Sequence, residues 1–342
     1  MIFVSTSLSD RSTIRSMQTD GSGAVTLVNP PAGQYAASPE LSPNGQKLLY
    51  FQTDSGGNGA IYVANSDGSN PISVYTISSG ISIDDVSWSP DSTRIVFDQT
   101  TVSVPSSSGI YVVNVDGSGL IHVVANTSAM NYGSPSWSPD GTKLVIDATD
   151  SVTPNNGGIM TVNVAASQTP TTILSTSTPI YYYRPDWKPD GNTIALIKND
   201  SNTGIETIIT VDSTGGSPTN VINNSSLNTN RSFIDLDWSP DGTKLIFVHR
   251  FAGIQESGDG VATVNLDGSG LVYLDGANGD GNSYPDWGVA VICSLSASVP
   301  GLPDTPTSSQ PKPNYWPAIG ALGGLGLVGL VISLWYRYHL QR

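Results

Sequence analysis

Carboxylates are almost the only side chains in this sequence that could do chemistry. The 342-residue chain has 28 Asp and Glu, three histidines (His122, His249, His339) and one cysteine, Cys293. Glu40, Glu206 and Glu256 are its glutamates, which leaves 25 aspartates. A lone cysteine excludes an internal disulfide framework and any multi-cysteine zinc or iron–sulfur site. Nucleophilic catalysis needs a Ser or Cys beside a base, and no Gly-x-Ser-x-Gly elbow occurs. His122 and His249 lie far apart and read as outer or rim residues. A glycosidase needs two facing carboxylates, and so many aspartates give the sequence no way to select a pair. No cofactor is expected. Asn278, Asp280 and Asn282 alternate in a Gly-rich loop in the manner of a calcium loop, but the closing Glu is missing at the expected spacing.

Most acids have structural explanations. Asp140, Asp190 and Asp241 sit in Pro-Asp-Gly turns, where the carboxylate accepts local N–H bonds and Gly supplies the positive φ. Glu40, Asp186, Asp237 and Asp286 each immediately precede a recurring Trp or its substitute, Leu41. They would either ring a cation or hydrogen-bond neighbouring repeats, and the second reading is preferred. Acids outnumber Lys and Arg 28 to 14, a formal charge of −14, which excludes a basic face for nucleic acid. With Asp in place of Glu, 36 Gly and 23 Pro, the chain reads as short elements joined by tight turns rather than a helical bundle.

Those elements repeat. Trp88, Trp137, Trp187 and Trp238 are each followed by Ser/Lys-Pro-Asp-Gly/Ser, Leu41 by Ser-Pro-Asn-Gly, and Trp287 opens a unit without the turn. The spacings are 47, 49, 50, 51 and 49 residues. After each turn comes an apolar run such as Lys143–Ile146, then a variable loop. A second run such as Gly109–Val113, an Asp-Gly turn (67–68, 116–117, 267–268, with 20–21 as an N-terminal copy) and a third run follow. In two units the second turn has drifted, to Ala165–Ala166 and Ser213–Gly216. Runs of four to six β-branched or aromatic residues between such turns are strands and hairpins. Their consecutive apolar positions require both sheet faces to be covered. The prediction is an all-β, six-bladed β-propeller of four-stranded antiparallel blades.

The recurring Trp-Ser-Pro-Asp-Gly, Lys-Leu-Val-Ile and Ile-Tyr-Val-Val-Asn-Val-Asp-Gly-Ser-Gly resemble the WD40-like repeat of TolB-type propellers over roughly residues 2–290. Leu41 for Trp, Ser92 for Gly and the lost turns are departures. The resemblance implies an envelope scaffold, although no counterpart of the amino-terminal domain of true TolB is present. The propeller is expected over 1–293, with the sixth blade stitched from Ile2–Ser5, Ile14–Gln18 and Val25–Val28 and a first strand from Ser283–Trp287. A rival reading gives Val289–Cys293 the place of Ile2–Ser5.

Residues 294–315 form a Pro/Ser/Thr-rich linker. Residues 316–336 are predicted as one C-terminal transmembrane helix: Trp316–Trp335 carries no charge and ends in aromatic anchors. The basic tail, 337–342, is then cytoplasmic and the propeller extracytoplasmic. Gly320 and Gly324 form a Gly-xxx-Gly pair, and homodimerisation through it is the less favoured reading. Leu302–Pro306 resembles a sortase signal but has Pro306 where Gly belongs, so it reads as stalk. Met1 opens directly into a strand with no export signal ahead of it, which predicts an N-terminally truncated sequence. A tail-anchored protein with a cytosolic propeller is the alternative.

The Pro-Asp-Gly and Asp-Gly turns share one end of such a propeller. The loops at the other end (98–108, 148–157, 250–259 and 126–134, 175–184, 223–234) vary, which places recognition there. Tyr132, Tyr182 and Phe233, five residues before successive Trp residues, with Arg184 and Arg231 nearby, are the candidate binding residues. The sequence therefore predicts a non-catalytic, membrane-anchored scaffold that binds a protein or cell-envelope polymer. The alternative is a glycan-active hydrolase or lyase using carboxylates on the variable face.

Overall fold

The computed structural model describes residues 2–7, 10–16, 25–101, 105–150, 157–227, 231–251, 259–273, 285–286 and 331–332. An amino-terminal sheet contains β1 (Ile2–Ser7), β2 (Asp10–Ser16) and β3 (Val25–Val28), in that order. Blade one is β4 (Gln34–Leu41), β5 (Lys47–Asp54), β6 (Gly59–Asn65) and β7 (Ile72–Ile77). Blade two is β8 (Ile81–Trp88), β9 (Arg94–Thr101), β10 (Gly109–Asn114) and β11 (Ile121–Ala125). Blade three is β12 (Met130–Trp137), β13 (Lys143–Asp150), β14 (Gly158–Asn163) and β15 (Thr171–Ser175). Blade four is β16 (Ile180–Trp187), β17 (Thr193–Asp200), β18 (Ile205–Asp212) and β19 (Thr219–Asn223). Blade five is β20 (Arg231–Trp238), β21 (Lys244–Phe251), β22 (Asp259–Asn265) and β23 (Val272–Tyr273).

Five sheets are thus four-stranded, antiparallel and meandering, as the repeat requires. The amino-terminal sheet has three strands, in the order expected of a partial sixth blade. Its predicted completion differs. From Ser283–Trp287 the described residues form β24 (Pro285–Asp286), which pairs with β25 (Val331–Ile332) and not with β1. Those two residues of β25 also lie in the predicted membrane span, where they are strand rather than helix. No helix among the described residues is long and apolar enough to cross a membrane. The rest of 316–336, the linker, Trp287, Cys293, Val289–Cys293 and the loop Asn278–Asn282 lie outside the described residues.

The core lies between the sheets. Leu48 and Tyr50 of β5 pack with Ile14 and Val28 of the amino-terminal sheet, while their neighbours Leu49 and Phe51 pack with Trp88, Ile95 and Phe97 of blade two. Val96 turns the other way, into a cluster with Trp137, Leu144 and Met160 of blade three. Two further clusters join blades three to four and four to five. Side chains alternate between faces with a period of two, so a strand sandwiched between two neighbours must be apolar at every position.

Turns hold the blades in register. In the Pro-Asp-Gly turns Asp140 Oδ1 accepts from Ser138 Oγ at 2.6 Å and from Thr142 N at 3.0 Å, and Asp241 repeats this with Ser239 at 2.6 Å and Thr243 at 3.0 Å. These bonds favour the ionised carboxylate: the Ser239 hydroxyl first, then Thr243, pulls Asp241 down to about 2. In blade four Lys188 Nζ meets Asp190 at 2.7 Å, and Asn192 N donates to Asp190 Oδ1 at 2.9 Å. The Asp-Gly turns do more than reverse the chain. A Cβ at Gly68 would stand 2.0 Å from Leu27 O of the amino-terminal sheet, and one at Gly268 2.5 Å from Val221 O of blade four. Each turn glycine therefore lies against the outermost strand of the preceding sheet. In blade three, where the turn has drifted, Ser167 N and Gln168 N instead donate to His122 O and Val123 O of β11, at 3.0 and 2.7 Å.

Ser92, the departure from Gly, has a role of its own. It holds φ 61°, a left-handed conformation costly for a residue with a Cβ, and its Oγ accepts Asn44 N of blade one at 3.2 Å. Relief of strain and loss of the bond are each worth about 1 kcal/mol. Ser92→Gly is therefore expected to leave stability within about 1 kcal/mol of wild type, whereas Ser92→Ala lowers it by about 1 kcal/mol. Urea unfolding of both variants checks the pair.

Candidate functional site

The innermost strand of every complete blade carries a bulge. Pairing slips by one residue between Ala37 and Glu40, Ile83 and Val86, Gly133 and Ser136, Tyr183 and Asp186, and Phe233 and Asp235. An extra residue re-aims the side chain it carries. The residue three before Leu41 or the Trp is Ser38, Asp85, Ser134, Arg184 or Asp235, and all five line one open cavity of about 260 Å³. Ser38, Ser134 and Arg184 hold φ of 51°, 48° and 53°, an uncommon conformation for residues other than glycine.

Arg184 is the only Lys or Arg among the cavity-lining residues, which also include Glu40, Asp84, Asp85, Asp186, Asp235 and Asp237. Its Nη1 reaches from blade four to Asp85 Oδ1 of blade two at 2.6 Å. Its backbone N donates to Asp147 Oδ2 of blade three at 3.3 Å. Asp98, at the equivalent place in blade two, accepts Asp85 N at 2.6 Å. Enclosure by protein disfavours the charged forms here. Burial pushes Asp235 up to about 7 although Arg184 draws it down, and Asp85 adds repulsion. Burial also raises Asp98, where Asp85 and Asp84 add to it. Asp147 is raised by burial against the pull of Ser134 and Arg184.

Of the acids before the Trp residues, Asp186 hydrogen-bonds neighbouring blades through its carboxylate. Asp186 accepts Ser136 Oγ of blade three at 2.8 Å and Trp238 N of blade five at 3.2 Å. Trp238 Nε1 donates to Asp186 O at 3.1 Å, and Trp88 Nε1 to Glu40 O at 3.3 Å. Trp187 Nε1 turns instead to Gly191 O of its own blade, at 3.0 Å. Cations cover two of the rings: Arg94 lies 4.8 Å from the Trp137 centroid and Lys188 5.6 Å from that of Trp238. Asp286 is described by its backbone alone, in β24.

The five predicted binding residues are not gathered in one place. Arg184 lines the cavity. Tyr132 and Tyr182 occupy equivalent places on β12 and β16, partly buried against the inter-blade clusters. Phe233 is turned inward: it is 2% exposed, packs edge-on against Phe247 at 5.2 Å, and its N donates to Glu206 Oε2 at 2.6 Å. A repeat position on an innermost strand faces the neighbouring blade as readily as the mouth, and here the apolar ring takes the core. Arg231 starts β20, and its side chain lies outside the described residues. Of the histidines expected at outer or rim positions, His249 is instead fully buried inside β21, and His122 stacks on Tyr111 at 4.1 Å. Neither lines the cavity. Among the described residues no three His, Cys, Asp or Glu side chains are arranged to hold a metal ion.

Sequence reasoning missed Asp85, Asp98, Asp147 and Asp235. Aligning the repeats on their Trp residues puts Asp85 and Asp235 in the column of Arg184, but the bulge that aims this column inward depends on strand pairing.

The fold and the repeat have a family counterpart. A model of the TolB beta propeller domain matches residues 1–291. The chain belongs to the TolB β-propeller family. Among solved structures, TolB from Acinetobacter baumannii is 16% identical with a TM-score of 0.58; the match covers 79% of this chain and 61% of that one. Putative TolB from Agrobacterium tumefaciens is 21% identical with a TM-score of 0.56, over 77% of this chain and 88% of that one. An oligogalacturonate lyase from Vibrio parahaemolyticus is 14% identical with a TM-score of 0.55, over 81% of this chain and 73% of that one. Such identities show a shared fold alone. This TolB-family chain thus spans about three fifths of the Acinetobacter protein. No curated protein matches the sequence.

Proposed function

We propose that this protein is a non-catalytic binding scaffold of the cell envelope, which engages a protein or envelope polymer at the end of the propeller where the loops vary. The observation that carries the reading is the contrast between the uniform turns and the varied channel residues. One end is closed by near-identical turns whose polar groups are spent on each other and on the next blade. The channel holds a column of differing residues, Ser38, Asp85, Ser134, Arg184 and Asp235, on a repeating frame. A repeated scaffold with one varied surface is how binding repeat proteins are built. The reading includes the membrane anchor at 316–336, with the propeller outside and the basic tail inside.

Immobilised propeller tests it. Wild type should retain components of a solubilised envelope, and the double variant Tyr182→Ala, Arg184→Ala, checked by circular dichroism to be folded, should lose at least about tenfold in capture, the loss of one anchor. Undiminished capture by the folded variant rejects the site.

A second reading has a specific observation in its favour. Several buried carboxylates border one cavity, and the same fold occurs in an oligogalacturonate lyase. Acids raised by burial are suited to proton transfer. A glycan-active enzyme, with or without calcium, would turn over a glycan panel in a screen run with and without chelator, whereas a scaffold gives no product.

A further inference from the structure

Three consecutive residues of each innermost strand line the cavity, and the middle one is apolar in every complete blade: Pro39, Val86, Pro135, Pro185 and Leu236. They form an apolar collar. The positions flanking it are polar, and the acids there or beside them are Glu40, Asp84, Asp85, Asp186, Asp235 and Asp237. Arg184 Nη1 answers one of these, Asp85, at 2.6 Å. Asp186 is committed to Ser136 and to Trp238 N. The cavity therefore carries negative charge on both sides of an apolar waist. One polar atom bordering it is unused. Ser38 Oγ is buried and has no hydrogen-bond partner. Blade one carries Phe51 where blade three carries Asp147, the carboxylate that takes the Ser134 hydroxyl. A buried hydroxyl left unpaired is unfavourable, and a ligand that donates to it removes the penalty.

We propose that this cavity receives the side chain of a lysine from a protein partner, with its apolar stem in the collar, its ammonium among the acids, and Ser38 Oγ accepting a hydrogen bond from it. The inference rests on the binding reading above for the existence of a partner and adds the chemistry that the partner presents. Charge complementarity selects a cation, since six acids face one arginine. The spread of those acids over four blades selects which cation. Among the described residues no three acids are arranged to hold a metal ion, whereas an ammonium on a flexible stem can turn its three donors to separate acceptors. Lysine also lays its methylenes on apolar surface while its tip stays among polar groups. The size agrees. Ligand pockets run from about 300 Å³ upward, and a cavity of about 260 Å³ suits one side chain rather than a polymer segment.

Two heptapeptides test this on the ¹⁵N-labelled full chain in detergent micelles, followed by NMR at pH 8, where Asp235, which burial pushes up to about 7, is ionised. Both read Gly-Ser-Gly-X-Gly-Ser-Gly with blocked ends, and X is lysine in one and norleucine, the same stem without the charge, in the other. The lysine peptide should shift amide signals within 38–40, 84–87, 134–136, 184–186 and 235–237. It should bind at least about tenfold more tightly than the norleucine peptide, an advantage that shrinks in about 1 M salt. Ser38→Ala should weaken the lysine peptide about threefold and leave the norleucine peptide unchanged. Equal affinities of the two peptides, or shifts confined to other segments, overturn the proposal. So does a response of the same segments to calcium chloride or to a galacturonate oligomer at a tenth of the peptide concentration, which would name a metal or a glycan as the occupant. Should Ser38→Ala fail to fold, the two-peptide comparison on wild type decides alone. Envelope capture is scored separately. Capture without a lysine response refutes the lysine assignment only, and a lysine response without capture refutes the binding reading.

Discussion

Gly68→Ala is expected to destabilise the propeller by about 2–4 kcal/mol, while Gly57→Ala costs about 1 kcal/mol. Both glycines hold a left-handed backbone, at φ 82° and 78°, so both variants suffer the same strain against a Cβ. Their surroundings differ. Nothing lies within 4 Å of a Cβ at Gly57, whereas one at Gly68 would meet Leu27 O at 2.0 Å. The added methyl at Gly68 must push blade one away from the amino-terminal sheet, where Ile14, Val28, Leu48 and Tyr50 share one core. Overpacking of that kind costs about 1–3 kcal/mol beyond the strain. Urea midpoints of the two variants give the comparison, and equal losses would mean that the turn glycines serve only the turn.

The second large effect is on pH. Burial holds the Asp235 carboxyl at about 7 in the folded protein, against about 4 in an unfolded chain. The folded state then binds the proton more tightly, so this group makes stability fall as pH rises from about 4 to about 7 and leaves it level above. The shift corresponds to at most about 4 kcal/mol. Asp98, Asp147 and Asp186, all raised with burial as the first cause, act in the same direction. Asp241 acts oppositely: its turn bonds, held at about 2, stabilise above the unfolded value and are lost as pH falls from about 4 towards 2. Wild type should therefore resist urea better at pH 5 than at pH 8, and Asp235→Asn should make that slope shallower, with the remainder left by Asp98, Asp147 and Asp186. A wild type more stable at pH 8, or an unchanged slope in the variant, contradicts the assignment.

The architecture was legible because its causes are local and repeated. Trp88, Trp137, Trp187 and Trp238 with their Pro-Asp turns mark four of the five innermost strands of the complete blades and Leu41 the fifth, and runs such as Leu144–Ile146, fully buried on both faces, announced sheets covered on two sides. The roles of Asp140 and Asp241 also followed from turn chemistry alone. Four features were not legible, for different reasons. The bulge before each innermost-strand Trp is a property of pairing between two strands, so nothing set Asp85 and Asp235 apart from the other aspartates. Phe233 shares its repeat position with Tyr132 and Tyr182, and only the packing of Phe247 and Glu206 around it decides that it is core. The turn glycines were explained by φ, and their approach to the preceding sheet emerged only once the blades were stacked. Closure was expected from Ser283–Trp287 as the missing first strand of the amino-terminal blade; instead Pro285–Asp286 pairs with Val331–Ile332.

The sharpest trial of the binding account is a hydrogen-exchange footprint of the propeller with and without the component it captures. Slowed exchange should be concentrated in 38–40, 84–87, 134–136, 184–186 and 235–237, the five bulges that line the cavity. Slowing confined to the outermost strands at 72–77, 121–125, 171–175 and 219–223, with those five segments unchanged, would place the partner on the rim and contradict it.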